Sequence, residues 1–145
     1  MAIFVDDGRK FVASATKEKS DTVYVALGNG DVAWDQTPVV ESTSLTELEA
    51  EVGRRKATQV AYCEPDEDGT IITDSGTYST SVTPTGYLYV LGNFDFTDAE
   101  DEDIREAACF GGVVLNQGVS DTDFITPEQL DDPGLMLSVA RFTKY

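Results

Sequence analysis

The side chains able to make and break bonds are unevenly supplied in this sequence. Histidine is absent, which removes Ser-His-Asp and Cys-His catalysis and every His-ligated metal site. Carboxylates are the plentiful resource, with 27 Asp plus Glu against 10 Lys plus Arg. Two of them flanking a glycosidic bond can act as acid and base, so an acidic hydrolase is one reading. Pairs arise by chance among so many acids, however, and no pattern marks one as buried. Asp66-Glu67-Asp68-Gly69 gathers oxygens of the kind Ca²⁺ takes. An EF-hand needs acids at alternating positions over about twelve residues, whereas the following Thr70-Ile71-Ile72-Thr73 reads as strand. GxSxG, HExxH and a phosphate-cradling glycine loop are missing. Gly28-Asn29-Gly30 supplies only the front half of a dinucleotide loop. The expectation is no enzyme, no cofactor and no bound metal.

Two cysteines, Cys63 and Cys109, are too few for a disulfide scaffold and too far apart for a CxxC site. They read as small buried apolar side chains, with a pairing between them or with another subunit as the alternative. Arg105, set among acids, reads as half of an ion pair with Glu106 or with the acidic run before it. Arg54 and Arg55 read as cations closing a helix.

The net charge of −17 and a pI near 4.1 argue against nucleic acid, which binds through counterion release to Lys and Arg. They argue equally against an anionic membrane surface. No apolar run of about 18 residues is present, and Met1 to Lys10 lacks the basic-then-apolar order of a signal peptide. The chain is expected to be made and folded in the cytoplasm of the cell that produces it, as a single domain over residues 1–145.

The elements that must position these residues come from periodicity. Phe11, Val12 and Ala15 recur at helical spacing after Asp6-Asp7-Gly8, with Lys17 and Lys19 at the far end, which predicts a short helix. Residues 22–27 form a β-rich run stopped by Gly28-Asn29-Gly30-Asp31. Residues 32–43 fit no period and predict an ordered loop pinned by Trp34. Ser44-Leu45-Thr46-Glu47 has capping-box spacing and predicts a helix striped by Leu45, Leu48 and Val52 that ends at Gly53-Arg54-Arg55. From Lys56 the period changes, and the alternation of Thr58, Val60 and Tyr62 with Ala57, Gln59, Ala61 and Cys63 predicts a strand. Residues 70–73 predict a short strand returning beside it, residues 77–82 an edge strand, and residues 87–96 a long central strand. Around Gly111-Gly112 two short strands are expected, with a helical turn over residues 104–108 as the competitor. Thr126-Pro127-Glu128-Gln129 starts a short helix that ends by Asp132-Pro133-Gly134, leaving residues 135–143 as a terminal strand. The fold class expected is mainly β (α+β), a β-sandwich-like or compact mixed sheet with two or three short helices.

Taken in order, several segments resemble the N-terminal attachment domain of phage tail fibres and the related small baseplate proteins of contractile-tailed phages. The segments are the Asp7-Gly8 helix with Phe11, the strand Val25-Ala26-Leu27 with its Gly28-Asn29-Gly30 turn, Ser44-Leu45 with Glu51 and Arg54-Arg55, and Phe94-Asp95-Phe96 with Ile104-Arg105-Glu106 and Phe110. The resemblance spans about Val5 to Leu115. In that pattern Gly-Leu-Phe usually follows the Ile-Arg-Glu segment, where this chain has Ala107-Ala108-Cys109-Phe110. No fibre shaft follows either, so the resemblance implies the adaptor alone or a short baseplate protein.

What the resemblance implies is a virion structural protein in the tail or baseplate, present in several copies of a symmetric assembly. Its partners would be other baseplate and tail-fibre proteins. The residues expected at interfaces are Trp34, Asp98, Glu100, Asp101, Glu102, Asp103, Arg105 and Glu106. Five of the six residues 98–103 are acidic, so basic neighbours are expected to meet them. The competing expectations are a carbohydrate- or calcium-binding surface module using Trp34, Tyr87, Tyr89 and residues 66–68, and a neck or tail-completion protein of the same virion.

Overall fold

The computed structural model describes residues 1–37 and 39–144; Pro38, which falls in the loop expected over residues 32–43, and Tyr145 lie outside the described residues. The chain divides into two compact units, one formed by residues 1–20 and 58–91 and the other by residues 21–57 and 92–145. The expectation of a mainly β protein with α+β character holds. Among the described residues there is one α-helix, and the other helical pieces are 3-10 turns.

The second unit carries a four-stranded antiparallel sheet. Its strands are β1 (Tyr24–Gly28), β2 (Glu51–Lys56), β7 (Glu106–Gly111) and β10 (Leu135–Arg141), in the order β10-β7-β1-β2. β1 alternates buried and half-buried residues, as a strand with one face on a core must. Tyr24 and Ala26 pack there with Leu48, Ala108, Phe110, Val113 and Ile125. A two-stranded ladder of β8 (Val114–Leu115) and β9 (Leu130–Asp132) stands beside it, and Leu115 and Leu130 add to the same core.

The first unit holds β3 (Gln59–Pro65), β4 (Ile71–Thr73), β5 (Gly76–Ser81) and β6 (Tyr87–Leu91) in the order β4-β5-β3-β6, again antiparallel. Helix α1 (Asp6–Glu18) lies on this sheet, where the Tyr62 hydroxyl donates to Ser14 Oγ at 2.9 Å. Acids open the helix and Lys17 closes it, in keeping with the macrodipole.

Four expectations are corrected. No helix follows Ser44: residues 44–50 run without one and lead into β2. The Ser44 hydroxyl meets Ser42 Oγ at 2.8 Å instead of capping a helix turn. The Glu49 and Ala50 amides are taken by the Glu106 carboxylate, while Glu51 to Lys56 gain a full ladder on β1. A helix of this length has little stability of its own to set against that pairing. β4 returns beside β5 and not beside β3. β5, expected at an edge, lies between β3 and β4. The aromatic run expected at the centre stops at Leu91, and β6 pairs with β3 alone at the sheet edge.

Other expectations stand. The strands near residues 22–27, 58–63 and 135–143 form as β1, β3 and β10, and residues 106–111 choose strand over the helical turn. Thr126 begins a single 3-10 turn over Pro127–Gln129, in which the Thr126 amide donates to Gln129 Oε1 at 2.9 Å.

Candidate functional site: arginine ties beneath an acidic loop

The residues expected at interfaces fall in the second unit, around the segment between residue 92 and β7. Arg105 is 4% exposed. Its guanidinium grips Asp35 with two bonds, Nε to Oδ1 at 3.0 Å and Nη2 to Oδ2 at 2.8 Å. Nη1 donates to the Asn29 carbonyl at 3.3 Å. Asp103 of the acidic run stands 3.6 Å from the same cation. The ion pair expected for Arg105 therefore forms, with Asp35 as its main partner in place of Glu106. Bonding to Arg105, aided by the Lys144 amide, holds the Asp35 carboxyl below its ordinary value. Asp35 closes the 3-10 turn Val32–Asp35, whose start is capped by Asp31 accepting from the Ala33 amide at 2.8 Å. Trp34 in that turn is buried, with the Arg141 guanidinium 4.7 Å above its ring. The indole does pin this segment. Gly30, at φ +58°, leaves room for the ring, because a Cβ there would collide with Trp34.

Glu106 follows Arg105 and is 0% exposed. Its two carboxylate oxygens accept the Glu49 amide at 3.1 Å and the Ala50 amide at 2.8 Å. These are charge-assisted bonds that fix the entry to β2. Arg54, 2% exposed, donates Nε and Nη2 to Glu51 Oε1 at 2.9 and 2.6 Å, and Nη1 to the Pro133 carbonyl at 2.8 Å. Its guanidinium also lies 4.2 Å from the centre of the Phe110 ring. Arg55 donates Nε and Nη2 to Asp98 at 2.6 and 2.8 Å, Nη2 to Asp95 at 2.9 Å, and Nη1 to the Thr122 carbonyl at 2.7 Å. The Arg55 bond pulls the Asp98 carboxyl below its ordinary value. Both arginines are strand residues that tie loops, and not the helix-closing cations that their spacing suggested. A strand reading that began before Lys56 would have found them.

The acidic run is thus a framed loop. Asp98 also accepts the Asp95 amide at 2.8 Å, and Glu102 accepts from the Asn29 side-chain amide at 2.7 Å. Asp103 meets Lys144 at 2.9 Å. Ala99 and Asp101 adopt positive φ, a conformation that side chains other than glycine take when their surroundings impose it. Of the eight residues singled out, Trp34, Asp98, Arg105 and Glu106 have their side chains engaged inside the unit. Glu100, Asp101 and Glu102 remain exposed and Asp103 is half-buried.

The chemistry open to this arrangement is that of ties. A groove of about 580 Å³ runs past Leu48, Glu51, Arg54, Phe110 and Leu130. Burial raises the Glu51 carboxyl above its ordinary value; Arg54 opposes that, and Glu106 adds to it. Its bonds to Arg54 leave Glu51 fixed in place. Elsewhere, Asp66 accepts from the Asp68 amide at 3.0 Å and the Ser79 hydroxyl at 2.6 Å, so this carboxylate closes its own turn. Among the described residues no group of three or more acids and cysteines is placed to hold a metal. Tyr87 stacks at a tilt on Tyr78, with centroids 6.0 Å apart, and Trp34 belongs to the other unit. Cys63 and Cys109 are free and buried, as expected, and burial pushes the Cys109 thiol up to about 11. No helix among the described residues is long and apolar enough to cross a membrane.

The arrangement in the second unit is an antiparallel sheet braced by arginines beside a fixed acidic loop. The whole chain, residues 1–145, matches the family described as "Baseplate wedge 3 tail fiber network component". The chain belongs to that family, and with it to the structural proteins of the bacteriophage baseplate and tail fibres. No curated protein matches its sequence.

Proposed function

We propose that this chain is an attachment component: a single folded domain, present in several copies, that joins tail-fibre and baseplate proteins through surface contacts and performs no catalysis. The observation that carries this reading is the acidic loop. Arg55 holds it by the Asp98 carboxylate, and Arg105 and Asn29 hold it by the Asp103 carbonyl, while Glu100 and Asp101 face solvent. A preorganised acidic edge suits a basic neighbour, and charge complementarity there fixes register and excludes wrong partners more than it raises affinity. The family match names the baseplate and the tail-fibre network, which favours that location over the neck.

The test is the double charge reversal Glu100→Lys with Asp101→Lys. Neither side chain carries a tie, but Lys takes the positive φ of residue 101 less readily than Asp, so stability should fall by no more than about 1 kcal/mol. Incorporation into particles, read by immunoblot of purified virions, should fall about tenfold or more. Normal incorporation with the loop reversed ends the electrostatic part of this reading.

A further inference from the structure

Helix α1 is mounted with its apolar stripe outward. Gly8, Phe11, Val12 and Ala15 fall at i, i+3, i+4 and i+7, the spacing that normally faces a core. Here Phe11 is 75% and Val12 50% exposed. Ala15 is exposed as well, and the exposed Phe4 lays its ring against Gly8. The side that meets the sheet of its own unit carries the small buried Ala13, Ser14 bonded to Tyr62, and Lys17 5.5 Å from the centre of the Tyr62 ring. Contiguous exposed apolar surface of this kind marks a contact site.

We propose that α1 pairs with α1 of a second copy of this chain, antiparallel across a two-fold axis. This rests on the reading of the chain as an assembly component and names one of its partners. Three observations select a second copy. First, Phe4 covers Gly8 within each copy, which leaves Ala15 as the small exposed residue of the stripe, so each copy's Phe11 fits beside Ala15 of the other, as interdigitating helices require. Second, Asp6 and Asp7 open the helix and Lys17 and Lys19 lie at its far end. Antiparallel pairing sets the acidic start of each helix, with its positive dipole end, beside the basic finish of the other. Third, the chain carries −17 overall, yet residues 1–20 hold Arg9, Lys10, Lys17 and Lys19 against Asp6, Asp7 and Glu18. Two copies meeting there are nearly balanced in charge and avoid the repulsion that the acidic remainder of the chain would bring.

One helix pair is smaller than a standard interface, so affinity is modest in solution and is raised by tethering on a particle, where effective concentrations reach about 1 mM. Sedimentation equilibrium of the full chain up to about 1 mM should show a reversible dimer. Phe11→Asp should weaken it about tenfold or more with the circular dichroism spectrum unchanged. Ala15→Cys should stay uncross-linked under oxidant, because the two sites lie about 10 Å apart in the antiparallel pair. A chain that remains monomeric at 1 mM, or a Phe11→Asp dimer of parent strength, overturns the proposal. A cross-linked Ala15→Cys overturns its orientation. A monomer whose Phe11→Asp variant also fails to enter particles means a different virion protein covers the stripe, and that too overturns it. None of these results touches the attachment reading, which stands or falls with the particle incorporation of the Glu100→Lys, Asp101→Lys variant.

Discussion

Glu106 shows how a residue that reads as surface chemistry becomes an internal tie. Its neighbours in sequence are an acidic run and an arginine, which suggests a contact patch. Its place as the first residue of β7 turns the carboxylate instead toward the Glu49 and Ala50 amides. Gly28, paired with Glu106 across the ladder, makes the space for it, since a Cβ there would meet both the Glu106 carboxylate and the Ala50 carbonyl. Truncation therefore leaves two amides without their acceptor. Glu106→Ala should destabilise the chain by about 2–6 kcal/mol, at roughly 1–3 kcal/mol for each unpaired group, while Glu106→Gln, which keeps one carbonyl oxygen, should cost less. Urea titration with an unchanged slope measures both. A loss below about 0.5 kcal/mol for the alanine variant would mean that the entry to β2 holds without this carboxylate.

At the scale of elements, pairing on both sides separates the strands. β7 lies between β10 and β1 and is largely buried, whereas β4 has three residues, one neighbour, and Ile72 in solvent. Amide exchange reports local opening, so Ala108 and Cys109 should exchange at least about a thousandfold more slowly than Ile72; equal rates would show that the sheets open together. The elements legible in the sequence were those whose pattern and pairing agree. α1 has its end charges, β1 its β-rich run and terminal Gly-x-Gly, and β10 its run after Pro133-Gly134. Residues 44–55 were misread because capping-box spacing is a local signal, and the partners that overruled it, Glu106 and β1, lie far off in sequence. The run 87–96 looked central because its length was counted across Leu91 and Gly92, where one unit ends and the other begins. The site was legible in the same measure. An ion pair for Arg105 could be expected from its acidic neighbours, but Asp35, 70 residues away, could not.

Across the whole molecule these ties make stability depend on pH in two opposed ways. Asp98 and Asp35 are held below the usual carboxylate range, first by Arg55 and first by Arg105 respectively. Their contribution is complete above the unfolded value near 3.8, because only there is the carboxylate charged in both states. As pH falls below it the unfolded chain binds protons first, and the contribution is lost by the time the folded carboxyls protonate. Glu51 works in the other direction. Burial lifts its folded value above 4.5, so at neutral pH it sits charged at a cost, and the folded chain takes up the proton first as pH falls. Acidification through that folded value therefore adds stability, and the gain is complete at the unfolded value. The general repulsion of a chain at −17 eases over the same interval. Melting temperature followed by circular dichroism should accordingly rise from pH 7 to a maximum between the unfolded values of 4.5 and 3.8 and then drop steeply below it. Asp98→Asn should flatten the acid limb and Glu51→Gln the rise that precedes it. A profile that falls steadily from neutral pH would show that Glu51 is ionised in the folded chain at no cost. Its bonds to Arg54 would then outweigh its burial, and the groove beside β2 would be a fully neutralised seam.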